Sequence, residues 1–238
     1  MNLFFNPKIS QETESFIFSS EESKHVYKVL RKIEGDNITV TNGNGLKWSG
    51  KLIEVGNKNT EAIKIKSEII EDNRFDFEIA ISPPKSNHRN EWFIEKATEI
   101  GIKKIHFIKT ENSERKKINL SRFQKVAISS IKQSKQFYVP EIKEIVTFSD
   151  FLKNNDFKNK LIAHCENSNK KHIANISLEN KPIIVLIGPE GDFSKNEITQ
   201  ANINNYESIS LGNNILRTET AAIYVTQAIS VLSCLQKK

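Results

Sequence analysis

The chain has little of what would mark it as a secreted, metal-bound or membrane protein. Only two of its 238 residues are cysteine, Cys165 and Cys234, too few for a disulfide framework and not arranged as the CxxC pair of a zinc site. No metal is expected. No apolar run approaches the roughly 20 residues of a membrane span. The opening Met1-Asn2-Leu3-Phe4-Phe5-Asn6-Pro7-Lys8 has neither the basic start nor the apolar stretch of a signal peptide. A cytoplasmic protein with no membrane partner is therefore expected. Internal repeats and low-complexity segments are missing too. Apolar residues make up 37 %, a low fraction, yet the length suffices to bury a real core.

What is present is positive charge in one place. The formal net charge is +6. Between Ile81 and Gln136 there are 13 Lys or Arg against 5 Asp or Glu, which leaves the rest of the chain slightly acidic, at 22 against 24. A localised basic stretch is the footprint that phosphates require, because Lys and Arg replace their condensed counterions. A merely solvated basic face is the competing reading.

From Phe16 to about Ile70, short alternating runs such as Ile38-Thr39-Val40-Thr41 and Lys51-Leu52-Ile53-Glu54-Val55 are separated by Asn42-Gly43-Asn44-Gly45 and Gly56-Asn57. The pattern predicts a small antiparallel β unit. One helical patch interrupts it, with His25, Val29 and Leu30 on one face and Gly35 at its end. After Glu71-Asp72-Asn73-Arg74 the style changes to apolar strands alternating with amphipathic helices, which places a domain boundary near residue 72 and predicts domains over 1–72 and 73–238. Strands are expected at Phe77–Ser82, Ile105–Ile108, Leu161–His164, Ile183–Ile187 and Ser208–Leu211. Helices are expected at Glu91–Ile100 closed by Gly101, at Arg122–Gln136 opened by Ser121, at Lys195–Ile203 and at Glu219–Leu235. Alternating βα units with strands this apolar imply a parallel sheet covered on both faces.

The strand Ile183–Ile187 runs into Gly188-Pro189-Glu190-Gly191-Asp192-Phe193-Ser194, and a strand that empties into such a loop opens a crevice at its carboxyl end. Ser194 and Glu197 have the spacing of a capping box. The loop is neither a Walker loop nor a GxGxxG fingerprint. The next strand ends in a second unusual loop, Gly212-Asn213-Asn214-Ile215-Leu216-Arg217-Thr218-Glu219-Thr220-Ala221-Ala222, so the two loops could wall one pocket. Apolar residues at 221, 225, 228, 229, 232 and 235 then give the last helix a stripe facing the core or a partner. Arg217 opposes the dipole of the helix it precedes, which marks it as functional unless it forms an ion pair with Glu190 or Glu219.

These two loops resemble those of the ribosomal RNA small-subunit methyltransferase E (RsmE) family of the SPOUT class. His25 with Val29-Leu30-Arg31 and Gly35 is similar to the family's N-terminal motif, and Lys96-Ala97-Thr98-Glu99-Ile100-Gly101 to its central one. The resemblance implies an α/β chain with an N-terminal PUA-like RNA-binding β-barrel followed by a SPOUT α/β domain with a C-terminal trefoil knot. It implies S-adenosylmethionine (S-adenosyl-L-methionine) as cofactor, held by Ile187, Gly188, Pro189, Glu190, Gly191, Leu211, Gly212 and Leu216, with Gly191 allowing close backbone approach. It implies a homodimer and methylation of uridine N3 in small-subunit ribosomal RNA, on an assembled 30S-like particle. Arg217 would stabilise the uridine anion, with Thr218 and Glu219 as positioning groups, and Glu190 or Glu219 would be candidates for the base. Arg31, Lys85, Arg89, Arg115, Lys116 and Lys117 would contact RNA. His25 and His164 are read as structural. The sequence departs from the family pattern at Asp192, where glycine is frequent, and at Asn214 and Gln136, where arginine is. Methylation of a ribose 2′-oxygen, or a catalytically inactive RNA-binding assembly factor, remain alternatives.

Overall fold

The computed structural model describes residues 2–154, 157–178 and 182–235, which form two compact units. The first comprises residues up to Asn73 together with Ile128–Val139, and the second comprises Arg74–Ala127 with Pro140 onwards.

In the first unit β1 (Leu3–Phe5), β2 (Ser15–Ile17), β3 (Asn37–Thr41), β4 (Leu46–Val55) and β5 (Thr60–Ile69) form one sheet in the order β1-β3-β4-β5-β2. The sheet is mixed rather than purely antiparallel, because β1 lies parallel to β3. A strand of three residues carries too little alternation to be read from the sequence. The inner face buries Phe4, Phe16, Phe18, Val40, Trp48 and Leu52. The one polar atom of the Trp48 ring, its indole N–H, donates to Thr13 O at 2.8 Å, as a buried donor must. The Asn42–Gly45 turn is met by later chain: Gly45 N–H donates to Phe137 O, Val139 N–H to Gly43 O, and the Tyr138 hydroxyl to Ile70 O at 2.7 Å. These bonds explain why residues 128–139 group with the first unit although the sequence pattern puts them in the second.

The helical patch is α1 (Ser20–Lys24), capped by Ser19 and continued by a π turn over His25–Val29. It ends well before Gly35. Leu30 N–H bonds to His25 O and Lys32 N–H to Val26 O, while Arg31 takes the left-handed conformation at φ 51, which for a residue other than glycine costs on the order of 1 kcal/mol.

The second unit is a seven-stranded, wholly parallel sheet, order β10-β12-β9-β11-β6-β7-β8. Its elements, in chain order, are β6 (Phe77–Ile81), α2 (Asn87–Ile100), β7 (Lys104–Lys109), α3 (Leu120–Ser134, whose residues from Ile128 belong to the first unit), β8 (Glu141–Thr147), α4 (Phe148–Lys153), β9 (Asn159–Ala163), β10 (Lys171–His172), β11 (Ile183–Ile187), α5 (Lys195–Ile203), β12 (Glu207–Ser210) and α6 (Thr218–Leu235). All five residues of β11 are buried between β9 and β6, each contributing about 1.5–3 kcal/mol of hydrophobic stabilisation. Phe148, Phe151, Phe193 and Ile198 cover one face, while α2 and α6 pack on each other and α6 contacts β6 and β11. The edge strands β8 and β10 and the short α4 lack the apolar density that exposes central strands in a sequence.

Helix boundaries are set by side chains. α2 begins a turn earlier than its apolar periodicity suggests, because the buried Asn90 amide donates to Pro84 O and Ser86 O, each at 2.7 Å. Asn119, not Ser121, caps α3, accepting the Arg122 N–H at 3.1 Å. Among the described residues no helix is long and apolar enough to cross a membrane.

Candidate functional site

Three parallel strands, β9, β11 and β12, end side by side, and their following loops enclose a cleft of about 390 Å³, within the range of small-molecule sites. One wall is Ile187, Gly188, Pro189 and Glu190 and a second runs from Ile209 through Gly212 and Leu216 to Arg217, Thr218 and Ala221. A third, which sequence reasoning missed, comes from the end of β9 and beyond: Ala163, His164, Cys165 and Lys170. The signal for it was weak, because nothing in Ala163-His164-Cys165 has motif spacing. Of the residues expected to hold cofactor, all but Gly191 line the cleft.

The loop after β11 is pinned from both ends. The expected capping box is present: Ser194 Oγ accepts the Glu197 N–H at 3.1 Å and Glu197 Oε2 accepts the Ser194 N–H at 2.9 Å. The other oxygen of Glu197 accepts the Glu111 N–H at 2.9 Å, so one buried carboxylate ties α5 to the loop after β7. The Asn112 amide from that loop donates to Gly191 O and Asp192 O. A Cβ on Gly191 would stand 3.3 Å from that of Asn112. The close approach seen at Gly191 is to Asn112.

Asp192, in the left-handed region at φ 59, accepts the Cys165 N–H at 2.7 Å and the Phe193 N–H at 2.8 Å, joining the first and third walls. Burial pushes the Cys165 thiol up, and the Asp192 charge adds to the effect. His164, also on the third wall, is held by Ser208 at 2.9 Å, and burial followed by the Lys170 charge lowers its pKa. In the second wall Gly212 is needed for its φ of 122, since nothing lies within 4 Å of the place its Cβ would take.

Arg217 is exposed on the wall of the cleft, where its carbonyl accepts the Ala221 N–H at 2.8 Å. It pairs with neither Glu190 nor Glu219. Arg89, from the first turn of α2, takes both: its Nε is 3.5 Å from Glu219 and a terminal nitrogen 3.9 Å from Glu190, and Glu190 also accepts the Lys85 N–H at 3.2 Å. Thr218 is buried on the wall. Glu219 lies behind it, off the wall, 6 % exposed and with Oε2 unpartnered. The expected RNA contacts divide accordingly. Arg89 serves the two glutamates, Arg115 donates to Pro84 O and Lys85 O, and Lys85 pairs with Glu114 at 2.7 Å. Lys116, Lys117 and Arg31 are exposed.

Comparison with known proteins agrees with this geometry. Residues 71–230 match the model of an RNA methyltransferase domain and residues 18–66 that of an RNA methyltransferase PUA domain. The chain is 30 % identical to a ribosomal RNA small subunit methyltransferase E from Mesomycoplasma hyopneumoniae, over 91 % of this chain and 95 % of the relative. With the enzyme of that name from Rickettsia conorii it is 28 % identical over 97 % and 95 %. A probable rRNA methyltransferase from Porphyromonas gingivalis superposes with a TM-score of 0.91 at 31 % identity, covering 99 % of this chain and all of that one. A Neisseria gonorrhoeae ribosomal RNA small subunit methyltransferase E bound to S-adenosyl methionine does so at 0.85 and 26 %, covering 98 % of each chain.

Proposed function

Because the chain belongs to the RNA methyltransferase family, in its ribosomal RNA small-subunit methyltransferase E branch, we propose that it methylates N3 of a uridine in small-subunit ribosomal RNA with S-adenosylmethionine. The observation that carries this reading is the cleft closed by three loops at the carboxyl ends of β9, β11 and β12. Its donor set suits the cofactor. Main-chain groups of Ile187, Gly188, Leu211 and Leu216 would hold the adenosine between apolar side chains, and both carboxylates and cations line the cleft for an amino-acid tail. The bound cofactor supplies a methyl group on a sulfonium that leaves as a neutral thioether.

The rest of the chemistry belongs to this chain. N3 of uridine lies on the pairing edge, so the base must be unpaired or turned out of its stack before reaction, and its proton passes to a base as the N–C bond forms, for which Glu190 is the carboxylate on the wall. Arg217, free of both neighbouring glutamates, meets the base oxygens as negative charge develops there. Thr218 shapes the wall beside it. Glu219 is a positioning residue, clamped with Arg89 behind that wall. Lys116 and Lys117, with Arg31 in the first unit, meet phosphates, whereas Arg115 is held by backbone carbonyls and braces the loop at Lys85.

The reading includes two further features. The return of the chain from β12 to α6, which lies on β11 and β6, is the connection that forms a trefoil knot. A second copy of the chain covers the outward apolar side of α6 and α2, where Tyr224, Val231, Leu235 and Trp92 are exposed; of the stripe predicted from the sequence, Val225 and Ile229 are buried, Ala221, Ala228 and Leu232 are half-buried and Leu235 is exposed. The substrate is a cytoplasmic, 30S-like particle. The test is nucleoside mass spectrometry of small-subunit ribosomal RNA incubated with protein and cofactor. The expected product is 3-methyluridine. A methylated ribose, or no product from folded and cofactor-bound protein, overturns the reading.

A further inference from the structure

We infer that the helical turn of the first unit carries a stacking platform for an unpaired nucleobase, formed by Tyr27 and flanked by Lys24, Lys28 and Arg31. The inference rests on RNA being the substrate, as proposed above, and adds the residue that grips single-stranded RNA outside the cleft.

Four observations point to it. Tyr27 is 48 % exposed and lies in a π turn, a rare distortion that is frequent at functional sites. Lys24 closes α1 and Tyr27 and Lys28 lie in the π turn that follows it, so the three stand within about one turn of one another. Arg31, one turn further on, holds a left-handed backbone at φ 51, where glycine would be less strained and would lack the guanidinium. Among the described residues, Lys24, Lys28 and Arg31 are exposed and no ion pair engages them, whereas the neighbouring Lys32 pairs with Asp36 at 3.4 Å and Glu22 with Lys132 at 3.8 Å.

The chemistry selects single-stranded RNA. Exposed phenol with free cations on both sides is the arrangement in which a base stacks while its flanking phosphates are neutralised, and it tolerates any base because each has a π face. A duplex keeps its bases stacked on one another and offers the ring nothing.

The test uses the full chain and a labelled uridine-rich single-stranded oligonucleotide, with a duplex of equal length as control. Tyr27→Ala should weaken single-strand binding by about tenfold, leave the duplex unaffected and leave the salt slope unchanged. Tyr27→Phe should bind as the wild type. Replacing Lys24, Lys28 and Arg31 together with glutamine should flatten the slope of log affinity against log salt by about 2, the value for three phosphates on a single strand. The platform is overturned if Tyr27→Ala binds single strands normally, if Tyr27→Phe loses as much as Tyr27→Ala, or if the duplex is weakened equally. A wild-type protein that makes no methylated nucleoside yet shows this pattern removes the methylation reading and leaves the platform standing.

Discussion

Two carboxylate clusters in the second unit are built in opposite ways. At the start of β6 and β7, Glu78 lies between His106 at 2.5 Å and Lys104 at 3.1 Å, and Lys104 also reaches Glu141 at 3.3 Å. Burial alone would push the Glu78 carboxyl up, but the hydrogen bonds and charges of His106 and Lys104 outweigh it and hold it below the ordinary carboxylate range. Beside the cleft, Glu219 is buried more deeply, yet its cation stands 3.5 Å away and is shared with Glu190, and Oε2 has no partner. The first cluster is satisfied, as a structural network should be. The second leaves a buried oxygen unpaired next to the functional wall, where strain and incomplete pairing tend to be tolerated. We therefore assign the first network to stability and the second to the proposed site.

The largest effect is expected at the wall itself. Arg217→Ala should fold and keep most cofactor binding, yet lose turnover by about a hundredfold or more, as expected when a preorganised cation is removed. Near-normal turnover would place the chemistry elsewhere.

Removing the satisfied network should do the reverse. Glu78→Ala is expected to destabilise the protein by about 2 kcal/mol, measured by urea unfolding and discounted for partial exposure of the partners, while kcat of the folded fraction is unchanged. The sign of its pH dependence follows from the lowered pKa. The contribution of Glu78 is present above the unfolded carboxylate pKa and is lost as pH falls through the lower folded value. Lys104 is the mirror case: burial would lower its pKa, but Glu78 and Glu141 raise it, so its contribution is lost only as alkaline pH rises through that raised value. An acid-unfolding midpoint identical in wild type and Glu78→Ala would show the network to be idle.

A subtler separation lies in the loop after β11. Gly191→Val should weaken cofactor binding about tenfold by displacing Asn112, and Asn112→Ala, which cuts the two hydrogen bonds to Gly191 and Asp192, should weaken it in the same direction; calorimetry reads both. If only Gly191→Val has an effect, the glycine faces the ligand after all. Smallest of all, loss of the cap in Ser194→Ala should cost about 1 kcal/mol and, because the same box anchors the loop, should also shift cofactor affinity. Asn119→Ala, at the start of α3, should cost a similar amount with cofactor affinity unaltered.

What the sequence determined by itself is what depends on near neighbours in the chain. The run Ile183–Ile187 between turn signals reads as a buried strand, Ser194 and Glu197 can meet because they are three residues apart, and the Gly-bearing loops ending two strands point to two walls of one pocket. The tertiary structure alone decided which cation serves Glu190 and Glu219, because Arg89 lies more than a hundred positions earlier and reaches them only once α2 packs on α6. It likewise decided that Ala163, His164, Cys165 and Lys170 close the third wall, since that follows from β9 being seated between β11 and β12, a strand order that no local spacing encodes. Periodicity and capping act through bonds between close positions, whereas pairing across a sheet is set by the summed burial of the whole core.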